Sequence, residues 1–339
     1  MHTTRHRALH WLFIGLVGLT AGSMLAGVAL GPVGIPVRSM IASLFGDAEH
    51  ALTAVQRVIL LQIRLPRVFL GLLVGAGLAV SGVAMQGLFR NPLASPYVLG
   101  VASGASTGAA LTILLASGIA ALLPVGAFIG ASLAVLVVYG LARPGTQRSS
   151  MLTLILAGVA VGSFFSAITS FLVFLSSKGE KLADVLFWMM GGLGRADWTS
   201  LAILAPVVLV CIVAILFFAK DLNALSLGEE TAQHLGVNPA ILYRWLLFLT
   251  TLLAASSVAL AGTIGFVGLA IPHIIRLLTG PDHRRLIPAS ALAGGCFLVW
   301  SDLLARTAFA PAELPVGVIT AFFGAPFFLY LLKARGAKL

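Results

Sequence analysis

The sequence predicts an all-α polytopic membrane protein with ten transmembrane helices, and three observations lead there. Hydrophobic residues make up 59% of the 339 positions and charged residues only 9%, where a soluble domain carries about 25% charged residues. Apolar stretches of the length that crosses a hydrocarbon core of about 30 Å, roughly 20 residues, recur along the whole chain. Small residues recur four apart inside those stretches, the spacing that lets helix backbones approach closely in lipid.

The spans are expected at residues 11–30, 67–89, 98–118, 122–142, 151–175, 198–219, 243–261, 263–279, 286–305 and 315–333. Arg5, His6 and Arg7 before the first give it a signal-peptide outline, but the run is long enough to span and further spans follow. The second opens with "RLPRVFLGLLVG", residues 64–75, where Pro66 reads as a helix start. Gly71/Gly75, Gly100/Gly104/Gly108, Gly126/Gly130 and Gly158/Gly162/Ser166/Ser170 read as packing stripes. Gly262, Gly265 and Gly268 ahead of Pro272 predict a bent or broken helix, with His273 as a packing residue. No soluble domain, linker or repeat interrupts the chain, so residues 1–339 form one transmembrane domain.

An even number of spans puts both termini on one side. With the N-terminus inside, thirteen Lys/Arg fall on inner segments and eight on outer ones: Arg38, Arg57, Arg64, Arg67, Lys178, Lys181, Arg195 and Arg306. The positive-inside bias therefore places both termini in the cytoplasm. Arg64 and Arg67 run against that bias and need a reason.

The formal charge of +10 does not indicate nucleic acid, because no basic run or aromatic-interleaved basic patch exists. Cys211 and Cys296 lie in apolar runs and read as small core residues. The chain has no Gly-Lys dipeptide, so no phosphate-cradling P-loop and no ATPase site of its own. There is no H-E-x-x-H metalloprotease signature, and no metal site or catalytic constellation is expected. A proton-coupled carrier would keep ionisable groups at mid-membrane. Only Asp302, Arg276 and His273 lie well within spans, and Asp302 and Arg276 are near enough an end to pair or snorkel.

The longest inner insert contains "LSLGEETAQHLGVNPA", residues 225–240. Ser226 and Glu229 have capping-box spacing, Leu227, Ala232 and Leu235 can share an apolar side, and Gly236 suits a stop before Asn238-Pro239. A short helix over 226–236 follows, either lying on the membrane surface or docking a cytoplasmic partner. "GLFRNPLASPYVLG", residues 87–100, reads as a turn-rich connection.

Six collinear stretches resemble the FecCD family, the permease subunits of ATP-binding-cassette importers for iron-siderophores, haem and vitamin B12. They are "RLPRVFLGLLVGAGLAVSGVAMQGLFRNPLASP", "LILAGVAVG", "FWMMGGLGRADW", "LGEETAQHLGV", "GTIGFVGLAIPHIIRLLTGPDHR" and "AELPVGVITAFFGAPFFLYLL". The resemblance implies a type II importer in the bacterial inner membrane. A second permease copy forms the pathway at the subunit interface, two cytoplasmic ATPases hold ATP and magnesium, and a periplasmic binding protein delivers the cargo. It implies that Arg64, Arg67 and Arg306 meet acidic residues of that binding protein. It makes the 226–236 helix the ATPase-coupling element, with Ser226, Gly228, Glu229, Leu235 and Gly236 in its signature. Asn91 and Leu93 match a cytoplasmic gate. Met151 and Leu152 fall at a second gate position, where vitamin B12 importers carry small hydroxyl residues. That departure favours an iron chelate, haem or ferric siderophore, over a corrinoid as cargo.

Overall fold

The computed structural model describes residues 2–36, 38–40, 52–116, 119, 121–142, 151–176 and 181–336. Arg143, Arg148, Lys178 and Lys338 of the topology count lie outside them. Every regular element is helical among the described residues. They are α1 (His2–Ala29), α2 (Ala54–Leu88), α3 (Val101–Leu115), α4 (Leu122–Ala142), α5 (Met151–Ser176), α6 (Lys181–Met189), α7 (Trp198–Phe217), α8 (Ala219–Leu225), α9 (Glu229–His234), α10 (Pro239–Ala261), α11 (Val267–Thr279), α12 (His283–Thr307) and α13 (Val316–Gly336). Seven are long and apolar enough to cross a membrane, and α3, α11 and the apolar part of α13 are shorter apolar helices. The expected ten spans are met only when those three are counted.

Two spans are shorter than expected for a physical reason. Residues 98–118 become α3, preceded by a single 3-10 turn at Pro96–Leu99, and Gly100 turns the chain with φ +78°. Residues 263–279 become α11, and the break lies ahead of it rather than at Pro272, which sits inside the helix. Gly262 (φ +67°) and Phe266 (φ +66°) take the chain through 262–266 in non-helical conformation. A carbonyl freed at membrane depth needs a partner, and Ile264 O accepts from the Tyr97 hydroxyl at 2.7 Å. Thr263 Oγ1 donates to Met189 O.

The centre of the bundle is α2, packed by α7, α10, α11 and α12. It begins twelve residues before Pro66, correcting the expected helix start there. Thr53 and Gln56 close a capping box, and Ile59–Arg64 form a π-helical turn in which Leu65 N–H reaches Leu60 O. In an α-helix the proline ring would collide with the carbonyl four residues back, and the π turn removes that collision. The five-residue step leaves Leu61 O facing Pro66, which has no N–H. Trp198 Nε1 donates to that carbonyl at 2.9 Å.

Glycines set the close approaches. A Cβ on Gly75 would stand 2.2 Å from Gly294 O, and one on Gly82 would stand 1.8 Å from Gly268 O. Gly104 faces Gly130 O and Gly108 faces Gly126 O, so α3 and α4 meet backbone to backbone. The α5 stripe divides: Gly158 packs on Val98 O, whereas Ser166 and Ser170 are exposed on the outside of this subunit. Cys211 and Cys296 are buried free thiols, as core residues should be. His273 is buried with its ring 6.5 Å from that of Phe327.

Candidate functional site: the arginine end and the insert end

Alternation of the helices brings the C-terminus of α1, the start of α2 and the C-terminus of α12 to one end of the bundle. Arg64, Arg67 and Arg306 converge there, but all three are buried, with only 3%, 6% and 3% of their surface exposed. Sequence reasoning placed them on an outer surface; the structure gives them internal partners. Arg64 Nη1 donates to Val28 O (3.0 Å) and Ala29 O (2.9 Å), and its Nη2 donates to Val33 O. Arg306 Nη2 donates to Gly27 O. Two guanidiniums therefore satisfy carbonyls that the end of α1 leaves without helical partners, where positive charge also suits the helix dipole.

Arg67 is held by acids instead. Its Nε donates to Asp302 Oδ1 at 2.8 Å and Oδ2 at 3.1 Å, and its Nη1 approaches Glu313 Oε2 at 2.9 Å and Oε1 at 3.1 Å. Arg306 Nε stands 3.4 Å from Asp302 Oδ2, a charge contact outside hydrogen-bonding geometry. Asp302, which the sequence marked as able to pair near a span end, is the buried counter-ion for two arginines. Glu313 is the partner that sequence reading missed, since it stands 246 residues from Arg67 in a motif read only for its helix. Beside the pair lies an open cleft lined by Phe187, Trp188, Gly191, Gly192, Gly194, Arg195, Leu260, Ala261, Gly262, Glu313, Leu314 and Pro315.

At the opposite end, the insert forms two short helices where one was expected. Ser226 does not start the second: it ends α8, with its hydroxyl donating to Asn223 O at 2.6 Å. Gly228, at φ +118°, precedes α9 (Glu229–His234), so the expected capping box is absent and the helix begins at Glu229. Its end is as expected. Gly236 has φ +86°, and bonds from Gly236 N to Gln233 O and Val237 N to Ala232 O close a Schellman motif. Ala232 is the one buried residue of α9, while Leu227 and Leu235 are exposed, against the expected shared apolar side. The pair of helices is tied to the bundle through Asn223. Its side-chain amide donates to Asp282 Oδ1 (2.7 Å), and its carbonyl oxygen accepts from His283 N (2.9 Å) and lies 2.7 Å from His283 Nδ1. Burial pushes the Asp282 carboxyl up, but the bonds from Asn223 and Arg284 N and the charges of Arg284 and Arg285 hold it below the usual carboxylate range.

The FecCD transport family model matches residues 19–334, nearly the whole chain. The chain belongs to the FecCD transport family. It is 43% identical to the cobalamin import system permease protein BtuC of Halobacterium salinarum, over 90% of this chain and 81% of that protein. It is 40% identical to the hemin transport system permease protein HmuU of Yersinia pestis, over 96% and 94% of the two chains. A solved metal-chelate-type ABC transporter in an inward-facing conformation superposes with a TM-score of 0.84 at 35% identity, covering 96% of this chain and 99% of that one. This FecCD protein is thus the permease component of a binding-protein-dependent ABC importer, and the proton-coupled carrier reading falls away.

The residues expected at the gate lie at the insert end. Asn91 and Leu93 follow α2, whose last turn closes through Asn91 N bonding Gln86 O, with Arg90 at φ +47°. Asn91 Oδ1 accepts from Leu93 N at 2.9 Å, fixing the turn, and Leu93 is exposed. Met151 opens α5 and Leu152 is exposed there, less than two turns before the Gly158 contact with Val98. The permease also carries one catalytic-looking pattern that sequence reading passed over, Gly104-Ala105-Ser106-Thr107-Gly108. A nucleophile elbow needs that motif on a strand-to-helix turn. Here it lies inside α3, with Ser106 Oγ donating to Ala102 O at 2.9 Å.

Proposed function

We propose that this permease imports an iron chelate, haem or a ferric siderophore, across a bacterial inner membrane with both termini in the cytoplasm. The observation that carries the cargo is Met151 and Leu152 at the position where B12 importers keep small hydroxyl residues; a hemin permease is among the near full-length relatives. A second copy of this chain completes the pathway, and two ATPase subunits bind ATP and magnesium outside this chain. A periplasmic binding protein docks at the arginine end, where its carboxylates engage the cluster of Arg64, Arg67 and Arg306. Planar guanidinium forks suit carboxylates, and complementary charge across the docking surface supplies register and association rate.

The element from Ser226 to Gly236 meets the ATPase. Its exposed Leu227 and Leu235 and acidic Glu229 offer a partner surface, and Asn223 links its movement to the start of α12. Asn91 and Leu93, with Met151 and Leu152, close the cytoplasmic mouth.

A corrinoid cargo is the second reading, favoured by the Halobacterium relative. Titrating the importer's binding protein with haem, a ferric-siderophore panel and cobalamin by calorimetry decides between them. Tight binding of haem or a siderophore with none of cobalamin is expected; cobalamin binding alone would overturn the iron-chelate assignment.

A further inference from the structure

We propose that Glu313 is a placeholder for Arg67: it occupies the outer half of the guanidinium until a carboxylate of the docking protein takes its position. The proposal rests on the docking reading above and adds the step by which a buried arginine becomes available.

The Arg67 fork is divided between two unlike carboxylates. Its inner nitrogen is fixed to Asp302, whose side chain is 3% exposed, while its outer nitrogen meets Glu313, whose side chain is 46% exposed. A buried ion pair resists separation because each charge left alone in a low-dielectric site is costly. A half-exposed carboxylate has water waiting for it and separates at lower cost than a buried one. Of the two partners of Arg67, Glu313 is the exchangeable one.

The surroundings permit the exchange. Glu313 stands in the irregular segment between α12 and α13, so its displacement unravels no helix. Above the pair lies Gly194, which is exposed. A Cβ there would be 3.9 Å from both Arg67 Nη1 and Glu313 Oε2, so any side chain at this position would cover the pair. The glycine leaves it open to the cleft. Arg195, next along the chain, is exposed on the same cleft and supplies attraction for an acidic partner while Arg67 is still occupied.

Charge balance gives the exchange its selectivity. Between them Arg67 and Arg306 contact two carboxylates, Asp302 and Glu313. An incoming carboxylate that replaces Glu313 restores this balance. A surface that pushes Glu313 aside without supplying an acid leaves Arg67 half-neutralised, which disfavours it. The price of such selectivity is a weaker docking contact than an empty arginine would make.

The test uses the complete importer, permease dimer with ATPases, in nucleotide-free nanodiscs of zwitterionic lipid, with its purified periplasmic binding protein as the probe. Glu313→Gln keeps the shape and removes the charge. It is expected to tighten docking about two- to fivefold, the size of an exposed ion pair, and to leave the monodispersity of the importer unchanged. Arg67→Lys and Arg67→Glu, checked for the same monodispersity, are expected to weaken docking. If the Arg67 variants weaken docking while Glu313→Gln leaves it unchanged or weakens it, Glu313 is a permanent contact and the placeholder is overturned. If the Arg67 variants dock normally, it is the docking reading itself that fails.

Discussion

Arg67 is neutralised on both sides, and Asp302 is its deep partner. Removing one member of such a buried pair leaves the other uncompensated, so Arg67→Ala or Asp302→Ala is expected to cost about 3–5 kcal/mol, read by denaturant unfolding in detergent. The double variant should cost clearly less than the two single losses added together, because neither charge is then stranded. Additive losses would show that the pair is not coupled. At this scale charge topology singled out Arg64 and Arg67, the family resemblance added Arg306, and Asp302 was marked as pairable. The sequence could not show that Arg64 and Arg306 close the end of α1 or that Glu313 covers Arg67. Those contacts join residues 31 to 279 positions apart, and no spacing rule reaches that far.

Helix ends follow local chemistry where the signal is backbone geometry, and fail where it is a side-chain option. Gly236 was legible as a stop because only a left-handed residue closes a Schellman motif cheaply. Ser226 was misread, because a serine that can cap the next helix can equally end the previous one, and the Asn223 carbonyl took its hydroxyl. Gly236→Ala is therefore expected to destabilise α9 by about 1–2 kcal/mol, the left-handed penalty of a Cβ, whereas Ser226→Ala should change its protection little. Amide hydrogen exchange across residues 229–237 reads both, and equal effects would contradict the capping assignment. The π turn before Pro66 was also hidden, since a proline marks a helix start and an accommodated kink alike. Here α2 continues upstream of Pro66 through the π turn with most of its residues exposed, and Trp198 supplies the donor that the proline lacks.

Over the whole molecule, hydropathy and small-residue spacing made the architecture readable. Lipid demands apolar spans, and close packing demands glycine where α2 crosses α11 and α12. What hydropathy blurs is a non-helical stretch at membrane depth, as at residues 262–266, because its residues are as apolar as a helix. The force for transport is expected to come from outside this chain and to arrive through the α8–α9 element. Proteoliposomes holding the permease with its ATPases, loaded with ATP inside and offered cargo-bound binding protein outside, measure it directly. ATP-dependent uptake is expected, with none from the permease alone under a pH gradient, and Glu229→Arg should leave ATP hydrolysis running while uptake falls at least tenfold, roughly the loss of one charge-assisted contact. Uptake by the permease alone, or undiminished uptake in the Glu229→Arg importer, would contradict it.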